Sequence, residues 1–231
     1  MSPHSWEIVQ QRAESCLIGI LSPPGGVSVD WAFSFNNMVK PQLFDVIRVS
    51  GLPFGEARTQ MAYQCLNGGY QWLFQLDADV LAPIDTISRL MSHRLPIVSG
   101  LYNQRFPTWL GASGEYLPVM FSEVVGADGV FAKQPITEFT PGSLVEAAYV
   151  PAGCLLIHRS VFERFIANGI KRIFEWTLHQ AAEPPGTGRS EDFEFCVRAR
   201  TLGYKCIVDT GVFCTHETDA HVTAKGLLPK L

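Results

Sequence analysis

Residues 72–79 read WLFQLDAD, a mostly apolar run that ends abruptly in two aspartates one residue apart. Such a run is typical of a buried strand, and residues two apart in an extended chain point the same way, so both carboxylates can address one site. Two close carboxylates repel each other unless a cation neutralises them. Mg²⁺ or Mn²⁺ bound to a diphosphate does this well, because these hard ions prefer oxygen ligands. A solvated acidic turn is the plainer alternative for the same pattern.

Outward from this run, strands and helices alternate over the first hundred residues. Alternation of this kind predicts an α/β domain with a mostly parallel sheet and helices on its faces. Ligands in such sheets bind at the carboxyl ends of the strands, where Asp77 is expected to lie. The predicted strands are 16–21, 43–49, 72–76 and 96–100, and the predicted helices are 27–38, 56–67 and one that starts at Pro83 and buries Ile84, Ile87, Leu90 and Met91.

The pattern changes after residue 100 and becomes rich in glycine, proline and aromatic residues. We expect irregular structure with antiparallel strands there, including a hairpin turn at 127–129. Further on, the sequence predicts a strand at 154–158, a helix opened by a capping box at 160–163, a lid-like loop at 179–189, a helix capped by Ser190 and a strand at 204–209. We interpret 1–231 as one domain, with a nucleotide-sugar half (16–100), an acceptor and catalytic half (101–217) and a tail (218–231).

Composition argues against some classes of protein. The chain has 231 residues, 47% of them hydrophobic, and a formal net charge of -4, with no Lys/Arg run of the kind that binds a nucleic-acid backbone. Its six cysteines form no C-x-x-C pair, which favours buried, reduced thiols, although Cys196, Cys206 and Cys214 leave a disulfide open. The N-terminus lacks a signal-peptide core, and no apolar run approaches the ~20 residues that span a bilayer. We therefore expect a cytoplasmic protein without a transmembrane segment.

Four polar positions are candidates for chemistry. Glu191 and Asp192 begin a helix, where a carboxylate is favoured in its ionised form and suits a general base, although acidic residues are common in any first helical turn. His216 can complete a metal site begun by the aspartates, with His221 as its rival. Arg58 suits a diphosphate or a sugar, but a surface arginine paired with Glu56 is about as consistent with the local sequence. The irregular middle segment carries Tyr102, Arg105, Trp109 and Tyr116. Aromatic side chains there could stack on a sugar, although most aromatics belong to the core.

The order of these motifs resembles the family-2-like glycosyltransferases of the GT-A fold, whose small stand-alone forms occur in bacteria and bacteriophages. The resemblance covers roughly residues 16–217. It is carried by Gly-Glu-Ala-Arg at 55–58, by residues 72–80, by Val-Ser-Gly-Leu-Tyr at 98–102, by Ala-Gly-Cys-Leu-Leu-Ile at 152–157, by Ser-Glu-Asp-Phe-Glu-Phe-Cys at 190–196 and by Thr-His at 215–216. The first loop, Ser-Pro-Pro-Gly-Gly at 22–26, and Thr59 after the arginine depart from the family pattern.

The resemblance implies a metal-dependent hexosyltransferase that uses a nucleoside diphosphate sugar, most simply a UDP-sugar, with Mn²⁺ or Mg²⁺. Asp77 and Asp79 would bind the ribose and the metal, and His216 would be a further metal ligand. Asp192, beside Glu191, would be the catalytic base. The implied donor-binding residues are Ser22, Pro23, Arg58, Asp77 and Ala78.

Two other functions remain compatible with the sequence. A nucleotidyltransferase also binds metal through acidic residues on an α/β fold, but it would normally carry a basic residue in its first, glycine-rich loop. A non-catalytic module that binds nucleotides or sugars is the other. The acceptor stays open among glycans, small metabolites and modified nucleobases.

Overall fold

The computed structural model describes residues 14–104, 116–125, 131–178, 188–217, 220–223 and 226–229. Its helices are α1 (Val29–Asn37), α2 (Phe54–Asn67), α3 (Thr86–Ser92), α4 (Arg159–Ala167) and α5 (Glu191–Thr201). Its strands are β1 (Cys16–Leu21), β2 (Phe44–Val49), β3 (Trp72–Asp77), β4 (Val80–Leu81), β5 (Ile97–Leu101), β6 (Phe121–Val125), β7 (Phe131–Pro135), β8 (Leu144–Ala147), β9 (Cys154–His158), β10 (Thr177–Leu178), β11 (Gly188–Arg189), β12 (Cys206–Phe213), β13 (Thr215–His216), β14 (Ala220–Thr223) and β15 (Gly226–Pro229).

Seven strands form one central sheet in the order β2-β1-β3-β9-β5-β12-β8. Strands β2, β1, β3, β5 and β12 run in one direction, whereas β9 and β8 run antiparallel to their neighbours. The predicted α/β class with a mostly parallel sheet is thus confirmed. Strand β9 comes late in the chain yet lies between β3 and β5, so both halves of the sequence contribute to a single sheet.

Helices cover both faces of the sheet and bury an apolar cluster on each. On the face that α2 covers, Ala57, Met61, Ala62 and Cys65 are fully buried, as their helical spacing predicts. This helix packs closely because β1 carries glycine where it passes: a Cβ at Gly19 would lie only 2.6 Å from the Met61 sulfur. The two clusters pack the helices tightly against the sheet, and this packing fixes the strand ends relative to one another.

Two predicted helix starts are wrong. Helix α3 begins at Thr86 rather than at Pro83, and Ile84 lies in the preceding turn with 59% of its surface exposed instead of in the core. Helix α4 is capped by His158, whose Nδ1 accepts from the Ser160 N–H, so Ser160 does not open a capping box. Strand β9 runs directly into α4, and this leaves no residue between them for a serine cap.

Other expectations from the second half of the chain have mixed outcomes. Strands β6 and β7 pair as the predicted hairpin, but its turn at 127–129 and residues 179–187 of the predicted lid lie outside the described residues. All six cysteines are buried and free, so the possible disulfide is absent. Within the described ranges, no helix has the length and apolar character needed to cross a membrane.

Candidate functional site

A cleft opens at the carboxyl ends of β1 and β3, where the sequence placed the acidic motif. Its volume is about 430 Å³. The loop after β1 forms one part of its wall and the turn after β3 another. The lining residues are Leu21, Ser22, Pro23, Gly26, Val27, Ser28, Phe54, Asp77, Ala78, Asp79 and Glu217. The predicted donor-binding residues Ser22, Pro23, Asp77 and Ala78 therefore meet in one place, together with Asp79.

The first loop is supported by a residue that the sequence did not indicate. Arg48, on the neighbouring parallel strand β2, donates from Nε to Ser22 Oγ at 2.6 Å and from Nη2 to the Pro23 carbonyl at 3.1 Å. The register of β1 and β2 pairs Arg48 with Ile20, two residues before the loop. A fixed positive charge thus lies beneath a loop whose own sequence has none. The contact between Arg48 and the loop depends on the register of β1 and β2, which the sequence does not reveal.

Arg58 is buried, with 3% of its surface exposed, and all three of its guanidinium nitrogens donate to the protein. Nε reaches Glu191 at 3.2 Å, and Nη2 reaches both carboxylate oxygens of Asp77 at 2.9 Å. Nη1 reaches Gln75 Oε1 at 3.0 Å and the Ala152 carbonyl at 3.1 Å. The surface alternative with Glu56 as partner is therefore wrong. Burial opposes the positive charge, but Asp77 and Glu191 outweigh it and raise the pKa of Arg58.

Asp79 and His216 lie side by side because β13 pairs with β4, which places His216 opposite Val80. His216 Nε2 is 3.7 Å from Asp79 Oδ2, and its Nδ1 is 3.0 Å from the Asn103 carbonyl oxygen. Because a carbonyl can only accept, Nδ1 donates to it, and Nε2 is the ring nitrogen on the side of Asp79. A histidine oriented in this way by a backbone carbonyl is typical of metal ligands.

The donor set fits a divalent ion that arrives with a diphosphate. Among the described residues, no group of three or more His, Cys, Asp or Glu side chains is arranged as a complete metal site. Mg²⁺-type ions need no such cage, since one or two protein ligands, substrate phosphates and water complete their shell. Asp79 and His216 suit this arrangement, whereas Asp77 has both of its oxygens bonded to Arg58. The side chain of His221 lies outside what the structure describes.

The two acidic residues at the start of α5 have different surroundings. Glu191 is 5% exposed and is paired with Arg58, which makes it a partner of the arginine rather than an accessible base. Asp192 Oδ1 accepts from the Phe193 N–H at 2.9 Å and from the Ser190 hydroxyl. Burial, and then the negative charge of Glu191, raise the pKa of Asp192 to about 6. Ser190 thus begins the helix, but its hydroxyl donates to Asp192 instead of accepting a backbone N–H.

Tyr102 packs between His216 and the chain at Gly153 and, being buried, offers no exposed ring face to a sugar. It is 7% exposed, its hydroxyl accepts from the Gly153 N–H at 3.0 Å, and its ring packs edge-on against His216 with centroids 5.1 Å apart. The chain passes so close here that a Cβ at Gly153 would lie 2.5 Å from that hydroxyl and 3.1 Å from Asp77 Oδ2. Its neighbours Arg105 and Trp109 lie outside the described residues.

Comparison with known proteins supports the fold. No protein-family model and no curated protein sequence matches this chain. Among solved structures, A197 from STIV is similar with a TM-score of 0.53 and 14% identity over 93% of this chain and 94% of that one. GalNAc-T7, solved with UDP, GalNAc and Mn²⁺, is similar with a TM-score of 0.55 and 14% identity over 87% of this chain. This chain spans 43% of the length of GalNAc-T7. The likeness confirms the predicted GT-A-type fold.

Proposed function

We propose that this protein is a glycosyltransferase that moves a sugar from a nucleoside diphosphate donor to an acceptor hydroxyl. The observation that carries the proposal is the cleft at the carboxyl ends of β1 and β3. It combines the first loop with Asp77 and Asp79, and the network of Arg58 ties it to the helix that bears Asp192. A nucleotide site at this edge of the sheet is what the parallel topology favours.

The donor side of the reaction is assigned to the cleft itself. UDP and Mn²⁺ are the preferred partners, in line with the ligands of GalNAc-T7. Asp79 and His216 would hold the ion, and the backbone of the Ser22–Pro23 loop would face the nucleotide. When bound, the ion supplies positive charge to the departing diphosphate. Arg58 takes no direct part in binding, because its nitrogens are occupied by the protein, and it instead holds Asp77 in place.

On the acceptor side, Asp192 is the proposed base. As the acceptor oxygen forms its bond to the anomeric carbon, Asp192 takes the hydroxyl proton, and the bond between that carbon and the diphosphate oxygen breaks. The electron pair of that bond leaves with the nucleoside diphosphate, and the sugar is transferred with inversion. A carboxylate with a pKa near 6 is ionised at neutral pH yet more basic than an ordinary aspartate, which suits a general base.

The test is release of UDP from a UDP-sugar to water, with Mn²⁺, by the protein and its Asp192→Asn variant. Asparagine keeps the oxygen that accepts from Phe193 but cannot take a proton, so we expect the rate to fall about 10²- to 10⁴-fold while UDP still binds. Glu138→Gln, a change at an exposed acidic residue, is the matched control and should behave as wild type. An unchanged rate in Asp192→Asn would remove that residue from the mechanism.

Arg48 keeps a nucleotidyltransferase in consideration as the second candidate. Such an enzyme normally carries a basic residue in its first loop; the loop of this chain has none, but Arg48 reaches it from β2. The products separate the two reactions. A nucleotidyltransferase releases pyrophosphate from a nucleoside triphosphate, whereas the proposed enzyme releases a nucleoside diphosphate from a nucleotide sugar.

A further inference from the structure

Glu217 is a carboxylate of the cleft that the sequence motifs did not include. It follows His216 directly, and its backbone N–H donates to the Asp79 carbonyl at 2.7 Å, which fixes it next to the acidic motif. Its side chain turns to the first loop, where Oε1 accepts from the Ser28 hydroxyl at 2.7 Å. Among the described residues, no hydrogen bond to Oε2 is found. Glu217 is only partly exposed and lines the cleft.

Ser28 holds this carboxylate rigidly because it is itself fixed. It is the N-cap of α1, and its Oγ accepts from the Trp31 N–H at 2.9 Å while it donates to Glu217. The Trp31 indole in turn donates to the Asp77 carbonyl at 2.9 Å. One chain of hydrogen bonds therefore links the start of α1 to both Asp77 and Glu217.

The three carboxylates that line the cleft face different partners. Asp77 has both oxygens on Arg58, and Asp79 lies beside His216. Glu217 contacts the first loop instead, through the Ser28 hydroxyl. A carboxylate in a cleft for a diphosphate repels the phosphates, so its favourable partner is a part of the ligand that donates hydrogen bonds. The ribose meets this need, since it is joined directly to the diphosphate and carries two hydroxyl groups.

We propose that Glu217 determines specificity for the ribose of the donor, by accepting a hydrogen bond from a ribose hydroxyl while Ser28 keeps its carboxylate in place. The inference rests on the proposed function, because it assumes that the cleft binds a nucleoside diphosphate. It adds a recognition role for a residue outside the Asp77–Asp79 motif. The apolar side chains of Val27 and Phe54, elsewhere in the same lining, offer no acceptor to a hydroxyl group.

The test is a cycle of calorimetric titrations in Mn²⁺, with UDP or GDP, whichever binds, and with its 2′-deoxy and 3′-deoxy forms. For wild type, removal of the recognised hydroxyl should weaken binding about 10- to 100-fold, as expected for a hydrogen bond to a charged group. Glu217→Ala should weaken binding of the ribonucleotide by a similar factor. The same variant should bind the deoxynucleotide that lacks the recognised hydroxyl as tightly as wild type does, because wild type cannot form the hydrogen bond to Glu217 with that ligand either.

Ser28→Ala provides a second variant that leaves the carboxylate in place but removes its support. It should show a smaller loss, confined to the ribonucleotide, and it keeps the test valid if Glu217→Ala fails to fold. Glu138→Ala removes one negative charge from an exposed site elsewhere and should change nothing.

Two results would overturn the inference while leaving the donor site intact. In one, the losses from Glu217→Ala and from the deoxy ligands multiply, so the residue and the hydroxyl act independently. In the other, Glu217→Ala raises the Mn²⁺ concentration needed to half-saturate binding of the ribonucleotide and of its deoxy forms alike, so the residue acts through the metal. Failure of wild type to bind either diphosphate would overturn the proposed function, and this inference with it.

Discussion

Asp192 owes its character to its immediate neighbours. Three influences favour its charged form, namely the Ser190 hydroxyl, the positive charge of Arg58 and the Phe193 N–H, and two oppose it, burial and Glu191. The opposing influences dominate, which is why the pKa of this aspartate is raised to about 6 while its oxygen remains hydrogen-bonded. Burial and charge at this one residue therefore set the pH range in which the proposed base is ionised.

The pH dependence of turnover follows from this balance. The base works when ionised. Below pH 6, kcat/KM should therefore rise about tenfold per pH unit, and it should level off above that pH, so that this acidic limb has its midpoint near pH 6. Ser190→Ala removes a hydrogen bond that lowers the pKa of Asp192, so the limb should move to higher pH. The kcat/KM of this variant should be lower than that of wild type at pH 6 and similar to it at pH 8.

The control for that profile is Ser88→Ala, which removes an exposed serine hydroxyl on α3. Its profile should match that of wild type. A limb that stays in place in Ser190→Ala, or moves to lower pH, would show that the group that titrates in turnover is not Asp192.

Arg58 illustrates what a local sequence can and cannot indicate. Its position on a helix is evident from periodicity, but its partners lie 17 to 133 residues away in the chain. Whether such an arginine contacts solvent, a ligand or the protein depends on how β3, the residues before β9 and α5 come together. Asp77 and Asp192, by contrast, were found from sequence because each lies at the end of an element that is recognisable by itself.

At the scale of elements, Arg58 joins α2, β3 and α5 through charged contacts in a buried place. Removing one member of a buried ion pair leaves the other charges without compensation. Arg58→Met keeps much of the side-chain volume but leaves Asp77 and Glu191 without a positively charged partner. The free energy of unfolding should therefore fall by about 3–5 kcal/mol. Urea denaturation monitored by circular dichroism measures this.

Two further variants make that prediction specific. Adding Glu191→Gln to Arg58→Met should recover part of the lost free energy of unfolding, because one of the two unpaired negative charges is removed. Arg164→Met, at an exposed position on α4, should have little effect. A loss in Arg58→Met no larger than that in Arg164→Met would show that the buried network does not support the fold.

At the scale of the whole molecule, the sheet shows how far the sequence was informative. Apolar runs identified most of its strands, and their alternation with helices identified the α/β class. The position and direction of β9 between β3 and β5 could not be predicted, because a fully buried run looks the same in either direction. The pairing of β13 with β4, which brings His216 to Asp79, depends on contacts between residues more than a hundred positions apart.

The predicted starts of α3 and α4 failed for a related reason. A cap is decided by where the preceding strand or turn ends in space, and the turn after β4 and the direct junction of β9 with α4 displaced both. The meeting of Ser22, Pro23, Asp77 and Asp79 in one cleft was easier to predict than these boundaries. These residues follow or end strands, and the topology of an α/β sheet brings strand ends together whatever the details of the connections.

The most direct test of the account is calorimetric titration of the purified protein with UDP and with GDP, each in Mn²⁺ and in EDTA. We predict that one diphosphate binds with a dissociation constant on the order of 1 µM, about -8 kcal/mol, in Mn²⁺ only. Asp79→Ala should abolish binding in Mn²⁺, whereas Asp85→Ala, at an exposed aspartate of the next turn, should bind in Mn²⁺ as wild type does. If wild type binds neither diphosphate under either condition, the cleft is not a donor site and the proposed function is wrong.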